Sequence, residues 1–341
     1  MKICYLITGL DIGGAQKHLL KLLPKTKHEK FVVCLNNKNT LDKEFEEKGI
    51  KVYHLGLNKW NLGLAFARMI KILGIENPDL IDSYLIHSNI FARLFSVPRI
   101  CSVRNDYSDL KVLNFINKWT EWGNEIQVIN SPTLMPYMEK NKVKSPIVTI
   151  PNGIDLNEIE PNIAFDIRDE LGLDKKTKIV TCVARLHKQK GVQELINQFV
   201  ETQPNIHLLI VGDGPHKPFV PMEIKNRVHF LYERKDVIDI LNSSDVFVLL
   251  SNKEGMSNAL MEAMALSLPC IVSDIPQNKL LIEDDENGVI FKESIGLPNC
   301  IEKALKFEEK YGKNAYKTIK ENYQMKDTVK KYEMMIEAAM K

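Results

Sequence analysis

Residues 251–274, SNKEGMSNALMEAMALSLPCIVSD, carry the most information about the fold. They follow Asp245–Leu250 (DVFVLL), a β-branched apolar run that reads as a buried strand. The polar turn Asn252–Gly255 ends that strand. Ala259–Leu266 is rich in helix formers and has no Gly or Pro, with Ser257 or Asn258 placed as its N-cap. Pro269 stops the helix, and Cys270–Val272 opens the next strand. Strand, loop, helix, strand is the unit of a parallel α/β sheet, whose ligands gather at the carboxyl ends of the strands.

The same alternation extends in both directions. Upstream, Ile3–Thr8, Phe31–Leu35, Val52–Leu55, Pro78–Ser83, Ile100–Val103 and Val128–Asn130 read as strands. Ala15–Leu23, Leu41–Lys48, Leu62–Gly74 and His87–Phe95 read as the helices between them. In the second half, Lys178–Val183, His207–Val211 and Val228–Leu231 are strands, and Val192–Val200 and Val237–Ser243 helices. Residues 299–322 and Met325–Lys341 read as helices. This pattern predicts doubly wound parallel sheets. A length of 341 residues fits two domains, with the connection in the polar stretch 156–176.

Composition narrows the class. Hydrophobic content of 44% and charged content of 26% are ordinary for a globular protein. The net charge is +2, with +4 on the first 165 residues and −2 on the rest, which does not favour a nucleic-acid partner. The slight basic excess of the first half suits either a solvated surface or proximity to an anionic membrane. Six cysteines stand singly, so neither a zinc site nor a disulfide framework is indicated, and a reducing cytoplasm fits.

Chemistry concentrates at predicted strand ends. Backbone amides over Gly255, Met256, Ser257 and Asn258 open a helix and suit a phosphate. Glu254 and Glu262 bracket that point. As hydroxyl acceptors they suit a ligand with hydroxyls on both sides of a phosphate, the layout of a nucleotide-sugar, although two solvated glutamates would look the same. Arg185 and Lys190 follow the strand Lys178–Val183 and can offset the charge of a departing diphosphate, or form a solvated basic loop. Gly9–Gly14 (GLDIGG) joins a strand to a helix, and Gly13 and Gly14 let backbone approach an anion. The turn lacks the G-x-G-x-x-G of a dinucleotide site, which disfavours a nicotinamide dehydrogenase. Arg104 stands at a strand's carboxyl end, open to a ligand role or to an ion pair with Asp106 or Asp109. His87 opens a helix, as a packed or solvated residue or as part of a site. Asn152–Gly153 reads as a turn with positive φ.

Taken together, Glu254–Gly255, Ala259–Leu260, Glu262–Ala265 and Leu268–Pro269 resemble the donor-site motif of the retaining glycosyltransferases of family 4, of GT-B fold. Gly13–Gly14–Ala15–Gln16, Arg185-x4-Lys190, Gly212–Asp213–Gly214–Pro215 and Pro151–Asp155 resemble further motifs of that family, and the likeness covers nearly the whole chain. It implies two Rossmann-like domains facing a cleft. Residues 1–160 would take the acceptor and 161–322 the nucleotide-sugar, with a helix over 323–341 crossing back to the first domain.

It also implies roles. Glu262 would hold ribose hydroxyls, Arg185 and Lys190 the diphosphate, and Glu254 the donor sugar. Gly14, Gly212, Tyr232 and Gly255–Asn258 would line the donor. Gly13, Gly14, His87 and Arg104 would face a saccharide or lipid-linked saccharide acceptor. No metal or other cofactor is expected. A UDP-sugar, a product in surface polysaccharide or lipopolysaccharide, and a cytoplasmic enzyme in possible contact with the inner face of the membrane are the family's implications. Departures from its pattern stand at Asp82 and Tyr84 (usually His-x-His), at Arg104 (usually His), at Tyr232 (usually Gly) and at Ser267 (usually Gly). A nucleotide-sugar epimerase and a non-catalytic binding subunit are the alternatives.

Overall fold

The alternation of strand and helix resolves, in a computed structural model describing residues 1–120 and 126–340, into two parallel sheets. Lys341, the end of the last expected helix, lies outside the described residues. The chain divides into two compact units, Met1–Asn152 with Met325–Lys341, and Gly153–Gln324.

The first unit holds β1 (Lys2–Ile7), β2 (Glu29–Cys34), β3 (Lys51–His54), β4 (Leu80–Tyr84), β5 (Arg99–Val103), β6 (Ile126–Ile129) and β7 (Ile147–Thr149). Their order is β3-β2-β1-β4-β5-β6-β7, all parallel. Helices α1 (Gly14–Leu22), α2 (Asp42–Glu47), α3 (Leu62–Glu76), α4 (Ile86–Ala92), α5 (Lys111–Thr120) and α6 (Met135–Lys140) connect them.

Successive strand residues face opposite sides, so the β1 and β2 runs feed two cores. Ile3, Tyr5, Ile7, Val32 and Cys34 pack against Leu19 and Leu22 of α1 and Phe45 of α2. Cys4, Leu6, Phe31 and Val33 pack against Met69 of α3 and Phe91 of α4. Strands buried on both faces read as continuous apolar runs, which is why they are legible in sequence.

The second unit holds α7 (Ile167–Leu171), β8 (Lys178–Val183), α8 (Val192–Phe199), β9 (Ile206–Val211), β10 (Val228–Tyr232), α9 (Val237–Asn242), β11 (Val246–Leu249), α10 (Asn258–Ala265), β12 (Cys270–Ser273), β13 (Val289–Phe291), α11 (Leu297–Lys306) and α12 (Glu308–Asn322). The strand order β10-β9-β8-β11-β12-β13 is again parallel throughout. Asp245, just before β11, accepts from Lys178 Nζ (2.7 Å), from Ile179 N (2.8 Å) and from Arg168, tying α7 to the sheet's lower edge. The last helix, α13 (Met325–Ala339), packs Tyr332, Met335 and Ile336 into the core of the first unit.

Residues 299–322 are helical, as read, and divide into α11 and α12 at Phe307 (φ −112, ψ 25), with α12 lying against α10. Other readings change. Helices α5, α6 and α7 (the last within the stretch 156–176 read as the connection) and the short strands β7 and β13 were not anticipated, the strands because three residues hold too little periodicity to read. Neither Asn152 nor Gly153 takes a positive φ. The Asn152 side chain is occupied by Arg104, and Ile154 N donates to Tyr323 O at 2.8 Å, which keeps this stretch extended. At the end of α10, Ser267 does adopt φ 59, a conformation costing a non-Gly residue roughly 1 kcal/mol.

Candidate active site

In each unit the strand order reverses beside its central strand, between β1 and β4 and between β8 and β11. Such a reversal opens a crevice at the strands' carboxyl ends. In the second unit the segment after β8 carries Arg185 and Lys190, and the segment after β11 carries Glu254. Lys190 Nζ donates to both oxygens of Glu254 at 2.7 Å each, and Ser251 Oγ donates to Oε1 at 2.6 Å. Glu254 is buried, so its charge is neutralised by a partner 64 residues away. Lysine has three N–H donors. Two serve Glu254, and the third can reach a further anion.

Glycine makes this approach possible at two points. Gly191 has φ 64, and a Cβ there would lie 1.9 Å from the Leu250 carbonyl oxygen. Gly212, with φ 131, would drive a Cβ to 2.2 Å from Ala184 O. The loops after β8, β9 and β11 therefore touch through backbone, and no side chain fits between them.

Around this pair, Gln189 Nε2 donates to Lys253 O at 2.7 Å, and Asn252 N to Gln189 O at 2.9 Å. Ser257 caps α10 by accepting from Leu260 N (3.3 Å). Gly255 is buried and Met256 and Asn258 half-buried at the same helix start, and Glu262 is buried one turn further on. Arg185 is exposed. Tyr232 takes φ 52, a backbone region glycine favours, its carbonyl accepts from Gly212 N at 2.7 Å, and its ring points outward with Lys217 Nζ 5.9 Å from the centroid. The structure thus brings Lys190 to Glu254 and Gly212 to Tyr232.

In the first unit, Gly13 is the N-cap of α1 and Gly14 its first residue, after β1. No atom lies within 4 Å of where a Cβ on Gly14 would sit. Arg104 follows β5 and is buried. Its Nη1 donates to Asn152 Oδ1 at 2.8 Å, its guanidinium stands 5.0 Å from the Tyr84 ring centroid, and its Nε and Nη2 find no partner among the described residues. Burial, and next the Arg104 charge, hold the His18 imidazole well below its usual pKa, so it is neutral at pH 7. Burial pushes the Asp82 carboxyl well above the usual carboxylate range, against the pull of Arg104, and its Oδ2 has no partner among the described residues. His87 is exposed on the first turn of α4. No hydrogen bond joins it to Arg104 among the described residues.

Sequence reasoning missed three features here. His18 lies on the inward face of α1, a position the helical spacing could have flagged. Leu85, between β4 and α4, has φ 75, strained for a bulky residue at a strand's carboxyl end. The Tyr84 hydroxyl shares a 2.5 Å hydrogen bond with that of Tyr332 in α13, 248 residues away, so Tyr84 anchors the last helix.

Two family descriptions match successive parts of the chain. "Glycosyltransferase Family 4" covers residues 12–158, and "Glycosyl transferases group 1" covers 164–324. The chain belongs to glycosyltransferase family 4. It is a glycosyltransferase with two Rossmann-like parallel sheets. Among its relatives is the UDP-Gal:alpha-D-GlcNAc-diphosphoundecaprenol alpha-1,3-galactosyltransferase of Escherichia coli, 27% identical over 84% of this chain and 81% of that enzyme. Another is the N,N'-diacetylbacillosaminyl-diphospho-undecaprenol alpha-1,3-N-acetylgalactosaminyltransferase of Campylobacter jejuni, 26% identical over 78% of each. The crystal structure of Anabaena Alr3699/HepE in complex with UDP-glucose shares the fold at a TM-score of 0.87, with 18% identity, 99% of this chain and all of that one covered. No helix among the described residues of this glycosyltransferase is long and apolar enough to cross a membrane.

Proposed function

We propose that this glycosyltransferase moves a hexose or N-acetylhexosamine from a UDP-sugar to a lipid-linked saccharide of surface polysaccharide or lipopolysaccharide, with retention of configuration, at the inner face of the cell membrane. The observation that carries the donor half is the Lys190–Glu254 pair at the reversal of strand order in the second unit. Lys190 bridges Glu254 and the diphosphate, adding its third N–H to a phosphate oxygen, and exposed Arg185 supplies a second cation. Amides from Gly255 to Asn258 complete the anion site at the start of α10. Glu254, held rigid by Lys190 and Ser251, accepts from hydroxyls of the donor sugar, and Glu262 from those of the ribose. Gly212 and Tyr232 line the donor.

Two cations at the diphosphate supply the stabilisation that a divalent ion would otherwise provide, which supports a reaction without metal. In that reaction the bond from the anomeric carbon to the diphosphate oxygen breaks, an acceptor hydroxyl oxygen bonds to that carbon on the same face, and its proton passes to the leaving phosphate. On the acceptor side, Arg104 offers its two remaining buried donors, with Gly13 and His87 at the same end of the sheet. The relatives that act on diphosphoundecaprenol substrates support the acceptor class.

The test is a thermal-shift panel of UDP, GDP, ADP and their common sugars, followed by turnover. Ligand at a hundred times Kd adds about 2.7 kcal/mol, a readable shift. A shift with UDP species, and UDP release only when a diphospholipid-linked saccharide is added, is the expected result. An altered sugar nucleotide formed without acceptor would make the chain an epimerase, and no shift with any nucleotide would make it a binding subunit.

A further inference from the structure

Tyr232 stands in a conformation that its side chain makes costly. It closes β10 at φ 52, left-handed backbone that glycine adopts without strain and a bulky residue rarely does. The backbone has a reason to be there: the Tyr232 carbonyl accepts from Gly212 N at 2.7 Å, which ties the loops after β9 and β10 together. The ring has no such reason. It packs into no hydrophobic core and is 57% exposed. Between Phe230 and Tyr232 the register shifts, so that two residues of β10 pass against one of β9, and a bulge of this kind re-aims the side chain beside it. The ring is thereby turned out at the carboxyl end of a parallel strand, where the ligands of such sheets gather. Lys217, paired with Asp213 at 2.5 Å, places its Nζ 5.9 Å from the ring centroid and backs the ring on one side. A strained backbone and an unpacked aromatic ring at one position mark a side chain kept for something other than the fold.

The place fits one part of a nucleotide-sugar. Strand β10 lies two strand spacings from β8, roughly 10 Å, so Tyr232 stands outboard of the Lys190–Glu254 pair, which serves the diphosphate and the sugar under the proposed function. The loop after Tyr232 leads into α9, which packs against α10, the helix that carries Glu262 for the ribose. The part of the donor that extends beyond diphosphate and ribose is the base. We propose that the Tyr232 ring is the stacking platform for the nucleobase of the donor, on the face away from Lys217. Stacking tolerates any base, because every base has a π face. Tyr232 therefore sets how tightly the nucleotide is held and leaves the choice of base to hydrogen-bonding groups elsewhere. This role deepens the donor half of the proposed function and rests on it.

The test is isothermal titration of the full chain with UDP, GDP and ADP, comparing wild type with Tyr232→Asn and Tyr232→Phe on the nucleotide that wild type binds best. Asparagine tolerates the left-handed backbone and removes the ring. Phenylalanine keeps the ring and removes the hydroxyl. Tyr232→Asn is expected to raise Kd by about tenfold, the loss typical of one base–aromatic stack, and Tyr232→Phe by no more than about threefold. The melting temperature of Tyr232→Asn without nucleotide is expected to equal or exceed that of wild type, because the strain goes and no core contact is lost. Wild-type affinity in Tyr232→Asn would overturn the proposal. So would an equal loss in Tyr232→Phe, which would give the role to the hydroxyl, or a melting temperature of Tyr232→Asn lower by about 2–4 °C or more, which would give the ring to the fold. Wild type that binds none of the three nucleotides strikes the donor reading and this role with it; nucleotide bound equally by wild type and Tyr232→Asn strikes this role alone.

Discussion

Glu254 and Arg104 each lie past the carboxyl end of a parallel strand, Glu254 after β11 beside the reversal of strand order in the second unit and Arg104 after β5, one strand beyond the reversal in the first, and their surroundings are opposite. Both oxygens of the Glu254 carboxylate accept from Lys190, and Oε1 accepts from Ser251 as well. The Arg104 guanidinium is buried with one hydrogen bond, an aromatic ring at its face and two nitrogens lacking partners among the described residues. A buried polar group left unpaired costs about 1–3 kcal/mol. A group kept in that condition in a native fold needs a reason, and a ligand it awaits is one. Under the proposed function the difference separates two strategies: the proposed donor site fixes its carboxylate before any sugar arrives, and the proposed acceptor site holds hydrogen-bonding capacity in reserve.

The sharpest way to break this comparison is Glu254→Gln, which preserves shape and removes the charge that holds Lys190. Transfer should fall by about 10²–10³-fold, the usual loss for a preorganised electrostatic contact, in a steady-state assay with saturating donor. Activity within a few-fold of wild type would end the role given to Glu254. Arg104→Gln should act differently, raising the acceptor KM by about tenfold to a hundredfold while the UDP-induced shift stays at the wild-type value. A weakened UDP shift would move Arg104 to the donor side.

The smallest effect concerns two buried carboxylates of the first unit. Glu76 accepts from Lys2, then from Tyr53 and Lys51, and these partners hold its carboxyl at about 2 against an ordinary 4.5. Its folded pKa is depressed, so its stabilisation is complete above pH 4.5 and disappears as pH falls toward 2. Asp82 is the reverse: burial raises its folded pKa, favouring the protonated form, so it weighs against the fold as pH rises through that value. Glu76→Gln should therefore cost about 1–3 kcal/mol at pH 7 and flatten the acid limb of a melting-temperature profile, and Asp82→Asn should be neutral or stabilising at pH 7. Equal losses from both would show that partners, rather than burial alone, do not separate the two carboxylates.

Much of the architecture was legible because the strands are buried on both faces and so appear as uninterrupted apolar runs. Lys178–Val183 and His207–Val211 are read almost to the residue. The donor-loop residues were legible for a related reason: glycines, a cap and charges crowd at strand ends, where parallel sheets place their ligands. Residue type and spacing thus determined the two sheets, the family and the candidate residues. Tertiary structure alone decided what those residues touch. Lys190 meets Glu254 across 64 residues and Tyr84 meets Tyr332 across 248, because strands distant in sequence lie side by side in the sheet or share a helix packed on it. It also decided which way α5 turns. Periodicity says that a stripe exists and is blind to its direction, and in α5 the hydrogen bonds of Thr120 to Arg93 and of Asn114 to Tyr137 hold those side chains in and leave Val112, Phe115 and Trp119 to the solvent.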